Sequence, residues 1–161
     1  MLAHAIGTTW EERVFQCMRQ LEGAYSIVVQ TKDSMIAARD PLGIRPLCLG
    51  KLNGGWIVAS ESCALDHLGA EYLREVEPGE VVIVDGNGLH TATWPGGTGR
   101  RSLCVFELIY FARPDSVMDG QLEHSARQEL GAQLDREHTV EADLVNAVSN
   151  TQQPLPKSDL V

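Results

Sequence analysis

Ten residues, Ala38-Arg39-Asp40-Pro41-Leu42-Gly43-Ile44-Arg45-Pro46-Leu47, constrain this chain more than any other stretch. Two prolines, a glycine, two arginines and an aspartate stand between apolar runs that read as strands, Gly23–Val29 upstream and Gly55–Ser62 downstream. Proline fixes φ and glycine admits backbone angles that other residues avoid, so a turn this dense in both has a rigid shape. Asp40, directly before Pro41, can accept backbone N–H groups inside the turn, and Arg39 or Arg45 can bridge to a neighbouring carboxylate. These residues leave open whether the turn only locks a corner or also touches a ligand, although polar turn residues act locally more often.

The flanking pattern is that of short strands and a few helices. Thr9 and Glu12 have the spacing of a capping box, and Trp10, Val14, Cys17, Met18 and Leu21 recur at helical spacing, which predicts a helix over Thr9–Leu21. Ala24–Thr31 and Met35–Arg39 read as a hairpin around Lys32-Asp33-Ser34. Pro46–Leu49, Trp56–Ser60, Tyr72–Val76, Glu80–Val84 and Leu89–Trp94 follow as strands, separated by Asn53-Gly54-Gly55, Glu77-Pro78-Gly79 and Gly86-Asn87-Gly88. Ser62–Leu68 reads as a short helix closed by Gly69; Ser60 or Ser62 can cap it, and Glu61 adds favourable charge. Pro95–Arg101 is a break. Beyond it, Leu103–Phe111 is expected as one more strand, and Gln121–His138 as a helix with Leu122, Ala126, Leu130 and Leu134 on its apolar face. Asn146–Val161 is polar and aperiodic, a composition expected of disorder.

Composition excludes some function classes. With 13 basic against 22 acidic side chains, the net charge of −9 argues against nucleic acid or an anionic membrane as partner. No apolar run approaches the length needed to span a bilayer, and the first residues lack the pattern of a secretory signal, so a cytoplasmic chain is expected. Cys17, Cys48, Cys63 and Cys104 never form CxxC, and the histidines have no metal-ligand spacing, so no cofactor is expected. No serine has a histidine base in view, and the glycine-rich turns lack the lysine and helix of a phosphate loop. The densest polar cluster is Tyr110-Phe111-Ala112-Arg113-Pro114-Asp115-Ser116. There Arg113 can pair with Asp115 and Asp115 can cap the next turn, or the loop can carry function.

Several segments, in order, resemble the amidophosphoribosyltransferase family. They are Glu22–Ser26, Arg39–Leu47, Ala59-Ser60-Glu61-Ser62-Cys63-Ala64-Leu65-Asp66, Val76–Glu80 and Cys104–Ser116, and together they cover roughly residues 1 to 145. The Arg-Asp-Pro-x-Gly turn also occurs in the glutaminase domain of asparagine synthetase. Ala59–Asp66 together with Tyr110–Ser116 is more specific. The resemblance implies an α+β fold, part of the αββα sandwich of an N-terminal-nucleophile, class II glutamine amidotransferase. In that family an N-terminal cysteine frees ammonia from glutamine, with an arginine and an Asn-Gly pair holding glutamine and the oxyanion. A phosphoribosyltransferase domain uses the ammonia with phosphoribosyl pyrophosphate, in the first step of purine synthesis.

The resemblance further implies the C-terminal part of a glutaminase domain over 1–100. Residues 101–145 would be its last strand and the connection toward the phosphoribosyltransferase domain, and 146–161 a divergent tail. The nucleophile and the phosphoribosyl pyrophosphate loop have no counterpart here, so a fragment inactive on its own is expected, with no catalytic residue. Tyr110, Arg113, Asp115 and Ser116 would lie near the interdomain route of ammonia, while Arg39, Asp40 and Arg45 would be scaffold. Cys104 matches a [4Fe–4S] ligand position in part of the family. Intact members use Mg2+, bind glutamine and phosphoribosyl pyrophosphate, and form homo-oligomers. The competing expectations are a non-catalytic module that complements or regulates a full enzyme, and a piece of another class II glutaminase such as asparagine synthetase. Open sheet edges and exposed apolar faces would make such a piece prone to self-association.

Overall fold

Strand pairing in this chain is antiparallel throughout the residues described, which in this computed structural model are 1–97 and 99–141, plus the backbone of a short pair, Leu144–Val145 with Leu155–Pro156. The expectations placed on Ala142–Asp143 and on the remaining tail residues lie outside them. The chain divides into two units, Met1–Cys104 and Val105–Val161.

In the first unit, helix α1 (Trp10–Met18) begins where its sequence says it should. Thr9 accepts the Glu12 N–H, and the Glu12 carboxylate accepts in return from the Thr9 N–H, so two otherwise orphaned donors are satisfied. Strands β1 (Ser26–Gln30), β2 (Met35–Arg39), β6 (Glu80–Asp85) and β7 (Gly88–Thr93) form one sheet in the order β1-β2-β6-β7. Strands β3 (Cys48–Leu52), β4 (Gly55–Ala59) and β5 (Glu71–Glu75) form the other, in the order β4-β3-β5. Helix α2 (Ser62–Leu68) follows β4 and stops at Gly69 with φ +66, a left-handed cap. Its N-terminus carries no side-chain cap; Ser62 is buried instead of capping, contrary to expectation.

Side chains alternate across each strand, and the alternation stacks four layers. Ile36, Ala38 and Val81 meet Val14 and Met18 of α1. Ala37 and Val82, pointing the other way, meet Leu47, Leu49 and Val76 from the second sheet. Cys48 then meets Leu65 of α2. At Gly50 a Cβ would stand 2.8 Å from Leu65 Cδ1, so glycine lets α2 approach the sheet. The result is an α-β-β-α stack with three apolar seams.

In the second unit, Val105 and Phe106 begin a helical segment that continues as a π turn over Glu107–Phe111, closed by the Ala112 N–H donating to the Glu107 carbonyl at 3.1 Å. This corrects the strand expected over Leu103–Phe111. A near-continuous apolar run carries no period that separates strand from helix. Two-residue strands β8 (Val117–Met118) and β9 (Gln121–Leu122) form a tight ribbon, and helix α3 (Glu123–Glu137) follows. The stripe expected to be its packing face is exposed at Leu122, Leu130 and Leu134, and the buried residues of α3 are Glu123 and Arg127.

Candidate functional site

The chain leaves the first sheet after β2 and returns to it at β6, and the Arg39–Leu47 turn sits where those crossings meet. Asp40, 1% exposed, has a carboxylate that accepts from the N–H groups of Leu42 (3.0 Å), Ile44 (3.1 Å) and Arg45 (3.0 Å). Its main-chain carbonyl accepts from Gly43 at 2.9 Å and from Gly79, in the return crossing, at 3.0 Å. Gly43 has φ +65, and a Cβ there would lie 2.8 Å from Pro78, so the two crossings approach too closely for a side chain.

Arg39, 3% exposed, extends the clamp. Nε donates to the Arg45 carbonyl (2.8 Å), Nη2 to the Gly43 carbonyl (2.9 Å), and Nη1 to the Val76 carbonyl (2.6 Å) and the Glu75 carboxylate (3.1 Å). A guanidinium with fixed, forked donors suits such a mixed set of acceptors. Arg45 takes part through its main chain, as donor to Asp40 and acceptor from Arg39. These hydrogen bonds of Arg39 and Asp40 tie the turn to itself and to the return crossing.

Burial, and secondarily the Asp40 carboxylate, push the Tyr25 hydroxyl up to about 12. The Arg74 guanidinium forks onto Glu80 at 2.8 and 2.7 Å, and that hydrogen bonding raises its pKa further. Between α1 and the first sheet lies a cavity of about 190 Å3 with an apolar lining that includes Leu2, Ile27, Val29, Ile36 and Ala38. It borders the edge strand β1, where Val28 is half exposed.

In the second unit Arg113 forks onto Asp115 at 3.0 and 2.9 Å, both side chains about half exposed. Ser116 is buried, and its N–H donates to the Arg113 carbonyl. Tyr110 is 63% exposed and packs edge-on against Phe111 at 5.5 Å; Phe106 and Ile109 add to the same exposed apolar surface. Arg113, Asp115 and Ser116 thus share one loop, and Tyr110 stands in the π turn just before it. Arg39, Asp40 and Arg45 share one turn in the other unit. Residue patterns did not single out half-buried Glu75 or buried Arg127, the partners of these two regions. An arginine within a polar helix and a glutamate at a strand end carry no local signal.

A four-iron cluster needs four converging thiolates. Cys17 is a buried residue of α1, Cys48 and Cys63 lie around the β3–α2 seam, and Cys104 ends the first unit, half-buried. Burial pushes the Cys48 thiol up to about 11, away from the thiolate form a metal requires. Among the described residues no group of three or more His, Cys, Asp or Glu side chains is placed to hold a metal ion, and the four cysteines are not gathered at one place.

Comparison with known proteins places this geometry. A model described as a glutamine amidotransferase domain matches residues 2–67. Over 155 residues the chain is 43% identical to the amidophosphoribosyltransferase of Bacillus subtilis (strain 168), covering 94% of this chain and 32% of that protein. To its counterpart in Mycobacterium tuberculosis (strain ATCC 25618 / H37Rv) it is 42% identical, covering 96% of this chain and 29% of the other. The solved structure of glutamine phosphoribosylpyrophosphate amidotransferase from B. subtilis, complexed with ADP and GMP, matches with a TM-score of 0.82 at 43% identity. That match covers 88% of this chain and 31% of the other. The chain therefore spans about a third or less of the length of these relatives. By its layered fold and by these matches, the chain belongs to the amidophosphoribosyltransferase family, within the glutamine amidotransferase region.

Proposed function

We propose that this chain is scaffold of the glutaminase domain of an amidophosphoribosyltransferase, and that alone it does not release ammonia from glutamine. The observation that carries this reading is the Arg39–Asp40 clamp: the most heavily engaged polar groups of the layered unit hold main chain to main chain. The intact enzyme would convert glutamine and phosphoribosyl pyrophosphate to phosphoribosylamine, a glycosyl transfer in the cytoplasm by a homo-oligomer. Within it, Tyr110, Arg113, Asp115 and Ser116 would face the phosphoribosyltransferase domain close to the route of ammonia. The exposed apolar surface of Phe106, Ile109, Tyr110 and Phe111 supports that reading, since apolar side chains gathered in this way mark an interface. The test is direct: pure chain incubated with glutamine is expected to give no glutamate above a blank, and enzyme-catalysed release would overturn the proposal.

A second reading, a module that complements a separately supplied piece, is favoured by one specific feature. The edge strand β1, half-exposed Val28 and the adjoining apolar cavity together offer main-chain hydrogen bonds and a side-chain pocket to an added strand. Co-expression with the N-terminal segment of a family member is expected to yield a stable complex with glutaminase activity under this reading. Separate elution of the two pieces would exclude it.

A further inference from the structure

Arg127 stands on α3 at 7% exposure, with its donors aimed at main chain. Nε donates to the Leu108 carbonyl at 2.5 Å, and Nη2 to the carbonyls of Ala112 (2.6 Å) and Glu107 (3.4 Å). These oxygens belong to the π turn and the residue that closes it. The Leu108 and Ala112 carbonyls stand at the end of the helical segment, where the dipole is negative, so a buried cation is favourable there. A π turn is rare, occurs mostly as a single turn within a helix, and is frequent at functional sites. Nη1 of Arg127 is buried as well, and no protein group accepts from it.

The far end of the same segment is also tied to α3. The Ser116 carbonyl accepts from the Glu123 N–H at 2.9 Å, and the Pro114 carbonyl from the His124 N–H at 2.9 Å. Helix α3 therefore holds Phe106–Ser116 at both ends, by main chain at one and by Arg127 at the other. The register of the turn matters because α-helical residues are spaced by about 100°. Relaxation from π to α would swing Tyr110 and Phe111 relative to Phe106 and remake the exposed apolar surface.

We propose that Arg127 is the positioning residue of this surface: by gripping the carbonyls of Glu107, Leu108 and Ala112 it keeps the turn in π register and fixes which faces of Phe106, Tyr110 and Phe111 meet a partner. The role in partner contact rests on the interface reading above; the hold on the turn does not.

Amide hydrogen exchange on the full chain tests it, comparing the parent with Arg127→Lys, Arg127→Met and, as an exposed control on the same helix, Arg136→Met. Exchange at residues 107–112 is expected to rise at least about tenfold in Arg127→Met and by a smaller factor in Arg127→Lys. The α3 amides beyond residue 128 and those of Val81 and Val82 should hold, and Arg136→Met should match the parent. Should Arg127→Met fail to fold, Arg127→Lys alone decides. Unchanged exchange at 107–112, or protection lost along all of α3 in every folded Arg127 variant, overturns the proposal. Nitration of Tyr110, measured in this chain and in a polypeptide continued through a family phosphoribosyltransferase domain, tests the interface separately. Equal reactivity there would end the interface reading and leave the exchange result standing.

Discussion

Each unit of the chain buries an arginine against main-chain carbonyls, and the two sites differ in what surrounds them. Arg39 grips its own turn inside a stack of three apolar seams. Arg127 grips a turn whose neighbours, Phe106, Ile109, Tyr110 and Phe111, are about half exposed or more. The first arrangement completes a core, and burial supplies the stabilisation that offsets the desolvated charge. The second arranges a surface. The difference teaches that the same side-chain chemistry serves scaffold in one unit and presentation in the other.

The contrast can be broken most easily at Asp40. Asp40→Ala leaves three part-buried N–H donors without the carboxylate and Arg39 without its preorganised turn, so it should cost about 3–5 kcal/mol in urea unfolding. Asp115→Ala, removing the partner of an exposed arginine, should cost no more than about 1 kcal/mol by the same measurement. Equal losses would erase the distinction between the two regions. Gly50→Ala should destabilise by about 1–3 kcal/mol, because its Cβ would meet Leu65 at 2.8 Å and the Glu71 carbonyl at 2.9 Å.

At α1, Thr9→Ala should cost about 1 kcal/mol of stability. The partner carboxyl, Glu12, is held below its usual value of 4.5, chiefly by the Thr8 N–H. A depressed carboxyl stabilises the fold above its unfolded pKa and loses that contribution as pH falls through the folded value. Thermal melts from pH 6 to pH 3 should therefore fall less steeply in Glu12→Gln than in the parent. The smallest stability change is expected for Ile109→Ser and Tyr110→Ser, within about 0.5 kcal/mol. Sedimentation velocity should show these variants less self-associated than the parent; unchanged association would show that the patch is not what draws copies together.

Much of the first unit was legible in the sequence. Thr9 and Glu12 mark a helix start because the capping box is local. The hairpins at Gly54 and Gly86–Gly88 announce themselves because these turns stand between short runs of apolar and β-branched residues, and Pro78-Gly79 marks the crossing from one sheet to the other. The division of strands between two sheets was not readable from periodicity; it entered through resemblance, because the β2-to-β6 pairing spans the entire second sheet. The second unit hid more. Leu103–Phe111 has no period, and the buried arginine that donates to the carbonyls of its turn stands sixteen residues after Phe111. On α3 the leucine stripe suggested a packing face, yet Arg127 and Glu123 are what the helix buries. Amphipathicity predicts burial only when something is present to cover the stripe.

Glu75 has a consequence of its own. Its carboxylate receives Arg39 at 3.1 Å and also Arg101 at 3.7 Å, while Arg101 reaches Glu77 at 3.3 Å and the Ser102 N–H donates to the Leu42 carbonyl at 2.9 Å. The stretch of chain departing from the first unit is moored to the corner that fastens the two sheets. Arg39 and Arg101 thus compete for one anion, and their contributions are coupled, not additive. Slackening the corner slackens the mooring with it, so damage deep in the scaffold is transmitted to the outgoing chain without any change of fold.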